Sequence, residues 1–156
     1  MDTQSAQDIC ILNDLLEVTR DSVAGYIEAA EDASNSEFQQ IFRQRAEDRQ
    51  HIVKHFEEKI RSLGGTPDKK GSLLAAAHRV FLNLREKVSS GDDALVAEVE
   101  RGEDFIKSKY EAALKDGQLS PLVRDDVRTA FGSVWSGHEE ARALKLGDRI
   151  RRPHAM

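Results

Sequence analysis

Four long segments of the chain carry apolar residues at every third or fourth position, which is the spacing of one face of an α-helix. Glycine and proline mark where these segments end and begin. Gly64 and Gly65, followed by Pro67, end one segment, because glycine favours the left-handed cap and proline cannot continue a helix. Ser120 and Pro121 begin another, with proline at the first helical position. The pattern predicts an all-α protein.

The predicted helices differ in length, because four are long and a fifth is short. Ser36, with Gln39 three residues later, predicts a capping box at one helix start, and Gly147 predicts the end of the last helix. The predicted spans are about Ala6 to Ala33, Glu37 to Leu63, Leu73 to Val88, Asp93 to Lys115 and Pro121 to Leu146.

The lengths of the connections predict the architecture. Residues 34–36 and 117–120 are short connections, so each joins two neighbouring antiparallel helices. The longer segment 66–91 links the two hairpins and contains the short helix. We therefore predict a ferritin-like antiparallel four-helix bundle, made of two helical hairpins, with an additional short crossover helix. Residues 1–147 form one domain, and 148–156 form a basic tail that we expect to be flexible.

Composition and charge exclude several classes of protein. Charged residues make up 33% of the chain and aromatic residues 6%, which suits long amphipathic helices better than a sheet. The net charge of -5 argues against a nucleic-acid partner, which normally requires a basic face. Cys10 is the only cysteine and no stretch is long and apolar enough for a membrane span, so we expect a cytoplasmic protein without membrane contact.

Polar residues interrupt the apolar helix faces and are the candidate site. A buried charge costs several kcal/mol unless a partner satisfies it, so the two arginines, the glutamate and the histidine on these faces should bond to one another. Two tyrosines follow Thr19 and Glu103 by seven residues, which places their hydroxyls near the same layer. The predicted interior network contains Arg45, Arg49, Glu103, His138, Tyr26 and Tyr110.

Three glycines lie in helix interiors directly before members of this network. Gly25, Gly102 and Gly137 precede a tyrosine, a glutamate and a histidine. Each costs up to about 1 kcal/mol of helix stability relative to alanine. We interpret them as positions where two helices approach closely.

Several segments of the chain resemble a known family. They are DSVAGYIEAAED at 21–32, LGGTP at 63–67, GSLLAAAHRVFLNL at 71–84 and ERGEDFIKSKYEAAL at 100–114. From about Leu12 to Leu146 the chain resembles the ferritin-like superfamily and, more closely, the bacterial four-helix-bundle family known as domain of unknown function 2383. The resemblance implies a fold, and the narrower family has no established activity to transfer.

The wider superfamily implies a test for iron. Its rubrerythrin-like members hold two irons with one glutamate from each of two helices and a Glu-x-x-His pair from each of the other two. In the first hairpin the matching positions carry Thr19, Arg49 and Ile52; in the second, Glu103 and His138 fit, but Trp135 replaces a glutamate. We therefore expect no metal cofactor. The alternative is an iron site that uses Glu103 and His138, with a residue of the crossover.

The other histidines are not predicted as ligands. His51 and His55 project away from the apolar face of their helix, His78 lies on the crossover helix, and His154 lies in the tail.

Three functions follow from these observations. The first is a non-catalytic bundle that acts through protein contacts or self-association, with Val80, Phe81 and Leu84 as a candidate surface; the resemblance adds a link to bacterial stress. The second is iron binding and oxidation at Glu103 and His138. The third is DNA protection, for which only Arg149 to Arg152 supply basic charge. No nucleophile has a base at a recognisable spacing, so we do not expect an enzyme.

Overall fold

The structure, a computed structural model, describes residues 2–69 and 92–151. Over these ranges the regular structure is entirely helical, which confirms the all-α prediction. The helices are α1 (Thr3–Asp32), α2 (Ser36–Ser62), α3 (Asp93–Lys115) and α4 (Pro121–Arg151). The predicted crossover helix at 73–88, with His78 and the surface around Val80, lies outside the described residues.

The four helices form two antiparallel hairpins, α1 with α2 and α3 with α4. Residues that meet across the hairpins show how they pair. Thr19 contacts Tyr110 and Tyr26 contacts Glu103, so α1 runs antiparallel to α3. Arg45 of α2 reaches Glu140, so α2 lies beside α4. The predicted helical bundle of two hairpins is therefore confirmed.

The connection between the hairpins starts and ends at opposite ends of the bundle. Gly65, just after α2, lies beside Ile9 in the first turns of α1, and the backbone N–H of Asp68 then donates to Asn13 Oδ1, one turn further along α1. The Asp92 carboxylate accepts from the backbone N–H groups of Ser34 and Asn35, each at 2.9 Å, at the turn where α1 ends. From Asn13 to this turn α1 rises about 30 Å. Asp92 thus ties the start of the second hairpin to the turn of the first.

The helix termini agree with the sequence in two places and differ in two. Gly64 has φ 90° and ends α2, and Pro121 begins α4, as predicted. The cap of α2 is Asn35 instead of Ser36, because its Oδ1 accepts from the N–H groups of Glu37 and Phe38. The predicted capping box is therefore wrong.

The predicted end of the last helix is also wrong. The backbone of α4 stays helical past Gly147 to Arg151, so part of the segment assigned to the tail is helical. A single glycine costs a helix about 1 kcal/mol but stops it only where it adopts a positive φ, as Gly64 does.

The core consists of two apolar clusters separated by a polar layer. One cluster surrounds Leu16, Phe56 and Val127, and the other surrounds Phe42 and Val96. Each of the four described helices changes from one cluster to the other at the same level, where Ser22, Arg49, Glu103 and Gly137 lie. None of the described helices combines the length and the apolar character that crossing a membrane requires.

Candidate functional site

Arg49 is the centre of the polar layer. Its side chain comes from α2 and is 0% exposed. One terminal nitrogen, Nη2, donates to Glu103 Oε2 of α3 at 2.7 Å, and the other, Nη1, donates to Ser22 Oγ of α1 at 2.6 Å. The guanidinium therefore joins three helices from both hairpins. Its fixed charge is balanced at contact distance by the Glu103 carboxylate.

Glu103 uses both carboxylate oxygens. It is 2% exposed, and its Oε1 accepts from the Tyr26 hydroxyl at 2.6 Å. The guanidinium carbon of Arg49 lies 5.6 Å from the centre of the Tyr26 ring, which is within the range of a cation–π contact. Burial raises the pKa of Tyr26 well above its usual value, and the neighbouring Glu103 charge raises it further. Tyr26 therefore stays protonated and donates its hydrogen bond.

Gly137 of α4 makes room for this ion pair. A Cβ atom built at Gly137 would lie 2.4 Å from Arg49 Nη2 and 2.9 Å from Glu103 Oε2. The close approach expected at Gly137 is therefore present, and its partner is the ion pair. At Gly102 the prediction of a close approach is wrong, because a Cβ there would meet no atom within 4 Å. Gly25 is buried within α1.

Tyr110 bonds to Thr19, which precedes Ser22 by about one turn of α1. The Thr19 hydroxyl donates to the carbonyl oxygen of Leu15 at 2.6 Å. Since a hydroxyl has one proton to donate, the 2.7 Å contact between the two hydroxyls is a hydrogen bond from Tyr110 to Thr19. Burial raises the pKa of Tyr110 to about 12. The second tyrosine thus forms a neutral pair of its own.

Arg45 and His138 bond to residues at the edge of the bundle. Arg45 Nη2 donates to Glu140 Oε1 at 2.9 Å. Burial lowers the pKa of Arg45, but the hydrogen bond to Glu140 and the charges of its neighbours together outweigh burial, so the pKa is raised. His138 Nε2 lies 2.5 Å from Asp104 Oδ1. The structure thus brings together three of the six candidate residues, Arg49, Glu103 and Tyr26.

Sequence reasoning missed three partners: Ser22, Asp104 and Glu140. Ser22 follows Thr19 by three residues and precedes Tyr26 by four, a spacing that places it on the same helix face. That spacing could have indicated Ser22 as a member of the polar layer. Asp104 and Glu140 lie outside the apolar stripes, so helical periodicity gave no reason to group them with the candidate residues.

The donor set of the layer does not fit a pair of iron ions. Two such cations need about four carboxylates and two imidazoles directed at one point. Here Glu103 has both oxygens occupied, and the Arg49 guanidinium takes the space beside it. In the described part of the chain, no three histidine, cysteine, aspartate or glutamate side chains come together as ligands of one cation would.

His51, His55 and Trp135 lie at the surface. His51 is exposed, and His55 is exposed beside Asp126 at 3.2 Å. Trp135 is 45% exposed, and the Lys107 ammonium lies 4.4 Å from the centre of its ring. The position where a metal-binding relative needs a glutamate therefore carries a ring that packs under a lysine.

The model of a domain of unknown function, DUF2383, matches residues 7–116. The chain belongs to the DUF2383 family. The matched residues of this DUF2383 protein include all of α2 and α3 and most of α1, and with them the ion pair and Tyr26. No curated protein sequence matches the chain.

Proposed function

We propose that this DUF2383 protein is a non-catalytic helical bundle that acts through protein contacts, and that it associates with itself. The observation that carries this proposal is the buried Arg49–Glu103 pair. A positive charge fixed beside the carboxylate repels a metal ion, and its hydrogen bonds hold α1, α2 and α3 together. The interior polar residues therefore serve the structure, and the residues through which the protein acts on partners lie on its surface.

Two exposed aromatic residues support a role in protein contacts. Phe105 of α3 is 55% exposed, and Trp135 of α4 is 45% exposed. A lysine lies over each ring, Lys109 over Phe105 at 5.3 Å and Lys107 over Trp135 at 4.4 Å. Aromatic side chains are enriched at protein interfaces, where they bury a large area at a small cost in side-chain entropy.

Sedimentation equilibrium tests self-association. We expect the mass of the protein to rise above that of one chain as its concentration increases, and Trp135→Ser to reduce that rise. Leu122→Ser is the matched control, because Leu122 is also exposed but lies at the first turn of α4. A monomer at every concentration contradicts self-association.

Iron addition tests the non-catalytic part of the proposal. Fe(II) is added anaerobically to chelator-stripped protein, and absorbance is recorded as oxygen is admitted, with Glu103→Ala alongside. We expect the two proteins to give the same trace and no retained iron. Iron bound by the parent protein, with an oxo-bridge band that the variant lacks, refutes the proposal and favours an iron oxidase.

The location of the protein is part of the same proposal. We place it in the bacterial cytoplasm and in stress physiology, on the strength of the ferritin-like resemblance. Fractionation of cells followed by immunoblotting tests the first statement. Comparison of protein levels between growing and starved cells tests the second.

A further inference from the structure

The surroundings of the Arg49 guanidinium have the features of a binding site. Three different helices supply its contacts, and none of them is α2, the helix that carries Arg49. Glu103 of α3 and Ser22 of α1 accept from its two terminal nitrogens at 2.7 and 2.6 Å. The Tyr26 ring faces its carbon at 5.6 Å, and Gly137 of α4 leaves space for Nη2.

The geometry of these contacts matches a guanidinium ion. The ion is planar, carries its charge at every relevant pH, and donates along several edges at once. Glu103 presents one free oxygen to it, because the other oxygen accepts from Tyr26. An aromatic ring beside the ion adds a favourable contact with the positive charge.

The hydrogen bonds of Arg49 come from its terminal nitrogens and not from Nε. The Nε atom, where the stem joins the guanidinium, is buried and makes no hydrogen bond to any described residue. Both hydrogen bonds therefore come from the two nitrogens that a free guanidinium ion also possesses.

We propose that the core of the bundle contains a guanidinium site, formed by Glu103, Ser22, Tyr26 and Gly137, which Arg49 fills as a tethered ligand. Truncation of Arg49 leaves a site that the free guanidinium ion enters. The site would not suit Mg²⁺, which needs about six oxygen ligands in octahedral geometry. The proposal is independent of self-association, because it concerns interior contacts alone.

The test uses Arg49→Ala and measures melting temperature by far-ultraviolet circular dichroism. Guanidinium chloride is added at low millimolar concentrations, with sodium chloride at equal ionic strength as the reference. We expect the variant to melt about 3 °C higher when the ion is tenfold above its dissociation constant. The parent protein should melt slightly lower, because its site is filled and guanidinium is a denaturant.

Four controls separate this site from general effects of the ion. Urea has the planar shape of guanidinium without its charge, Mg²⁺ has charge without the shape, and neither should stabilise Arg49→Ala. The single variant Arg45→Ala removes a guanidinium from the edge of the bundle. The double variant Arg49→Ala/Glu103→Gln removes the negative charge of the site. Neither protein should gain stability with guanidinium. Equal stabilisation in any of these four cases overturns the proposal.

The test also covers a variant that does not fold in buffer alone. In that case the same titration is followed as recovery of the helical signal in Arg49→Ala. Recovery with guanidinium, and not with urea or sodium chloride, supports the site. The absence of any recovery or any rise in melting temperature overturns it.

Discussion

At the scale of single residues, the polar layer depends on one side chain and on the absence of another. Arg49 donates in two directions at once, to Glu103 and to Ser22, which the compact ammonium of a lysine would not do with the same geometry. Gly137 is needed because any Cβ atom at its position would overlap Arg49 Nη2. Glycine in the interior of α4 thus lowers the stability of the helix but leaves the space that the ion pair occupies.

Gly137 and Gly102 should respond in opposite ways to substitution by alanine. We expect Gly137→Ala to lower the free energy of unfolding by about 1–3 kcal/mol, because the new Cβ displaces the buried ion pair. We expect Gly102→Ala to raise it by about 0.5–1 kcal/mol, because the methyl group has free space and alanine favours the helix. Urea denaturation measures both. Equal effects at the two positions would contradict this account.

Ionisation of the buried tyrosines gives a second prediction. The chain has two tyrosines, so Tyr26→Phe leaves Tyr110 as the only phenol. In the folded variant we expect ultraviolet titration to give a pKa of about 12, against about 10 in unfolded chains. Since the native state keeps its proton longer, stability should fall as pH rises from about 10 to 12 and should not depend on this group below that window. A titration midpoint of Tyr110 near pH 10, while the helical signal persists, would contradict the prediction that its hydroxyl is buried.

At the scale of helices and turns, polar side chains cap the helices and connect the turns of the two hairpins. Asn35 caps α2, and Asp92 accepts from the N–H groups of Ser34 and Asn35, so one short turn is held by side chains from both hairpins. The apolar faces supply the burial that stabilises these long helices. The caps set their limits.

One acidic pair on α1 should make the stability of the protein depend on pH. Burial raises the pKa of Asp21 from 3.8 to about 6, and the charge of Glu17 one turn away adds to the shift. The native state therefore holds a proton that the unfolded state has lost between about pH 4 and pH 6, and stability falls as pH rises through that window.

Asp21→Asn should remove this dependence. We expect the variant to be more stable than the parent protein at pH 7, by less than about 1 kcal/mol because Asp21 is partly exposed, and equally stable below about pH 4. Urea denaturation at the two pH values measures the difference. The exposed Asp125 of α4 is the control, since Asp125→Asn should leave the difference between the two pH values unchanged. A gain that is the same at both values would exclude ionisation as the cause.

At the scale of the whole molecule, the ion pair is the charged contact among the buried hydrogen bonds that join the two hairpins in the described core, beside the bonds of Tyr26 to Glu103 and of Tyr110 to Thr19. Arg49 belongs to the first hairpin and Glu103 to the second, and apolar clusters lie on both sides of them. A buried pair of this kind adds little net stability compared with apolar residues of the same shape, but loss of one partner leaves an uncompensated charge. We infer that its contribution is to fix how the hairpins align.

Removal of the carboxylate should therefore be far more damaging inside the bundle than at its edge. We expect Glu103→Ala to cost about 3–5 kcal/mol, because Arg49 stays buried without its counter-ion. We expect Glu140→Ala, which removes the partner of Arg45 at the edge, to cost less than about 1 kcal/mol. Urea is the denaturant for both variants, since guanidinium would screen or replace the charges. Similar losses of stability in the two variants would show that burial does not make the Arg49–Glu103 pair more sensitive to loss of its carboxylate.

The sequence alone was sufficient for the four long helices, their pairing into hairpins and the inward direction of Arg49 and Glu103. These follow from the helical period, which sets the direction of each Cα–Cβ bond, and from short connections, which require antiparallel neighbours. The cap at Asn35 and the continuation of α4 past Gly147 were not predicted, because several residues near a helix end satisfy the same rule.

Only the tertiary structure decided which polar residues meet. The helical period does not determine where a long side chain ends, nor how far one helix is shifted along the axis of another. Arg45 therefore bonds to Glu140, and His138 bonds to Asp104. Arg49 bonds to Ser22 and Glu103 at the level where Gly137 leaves space. That level is set by the packing of the two apolar clusters, which involves all four described helices at once.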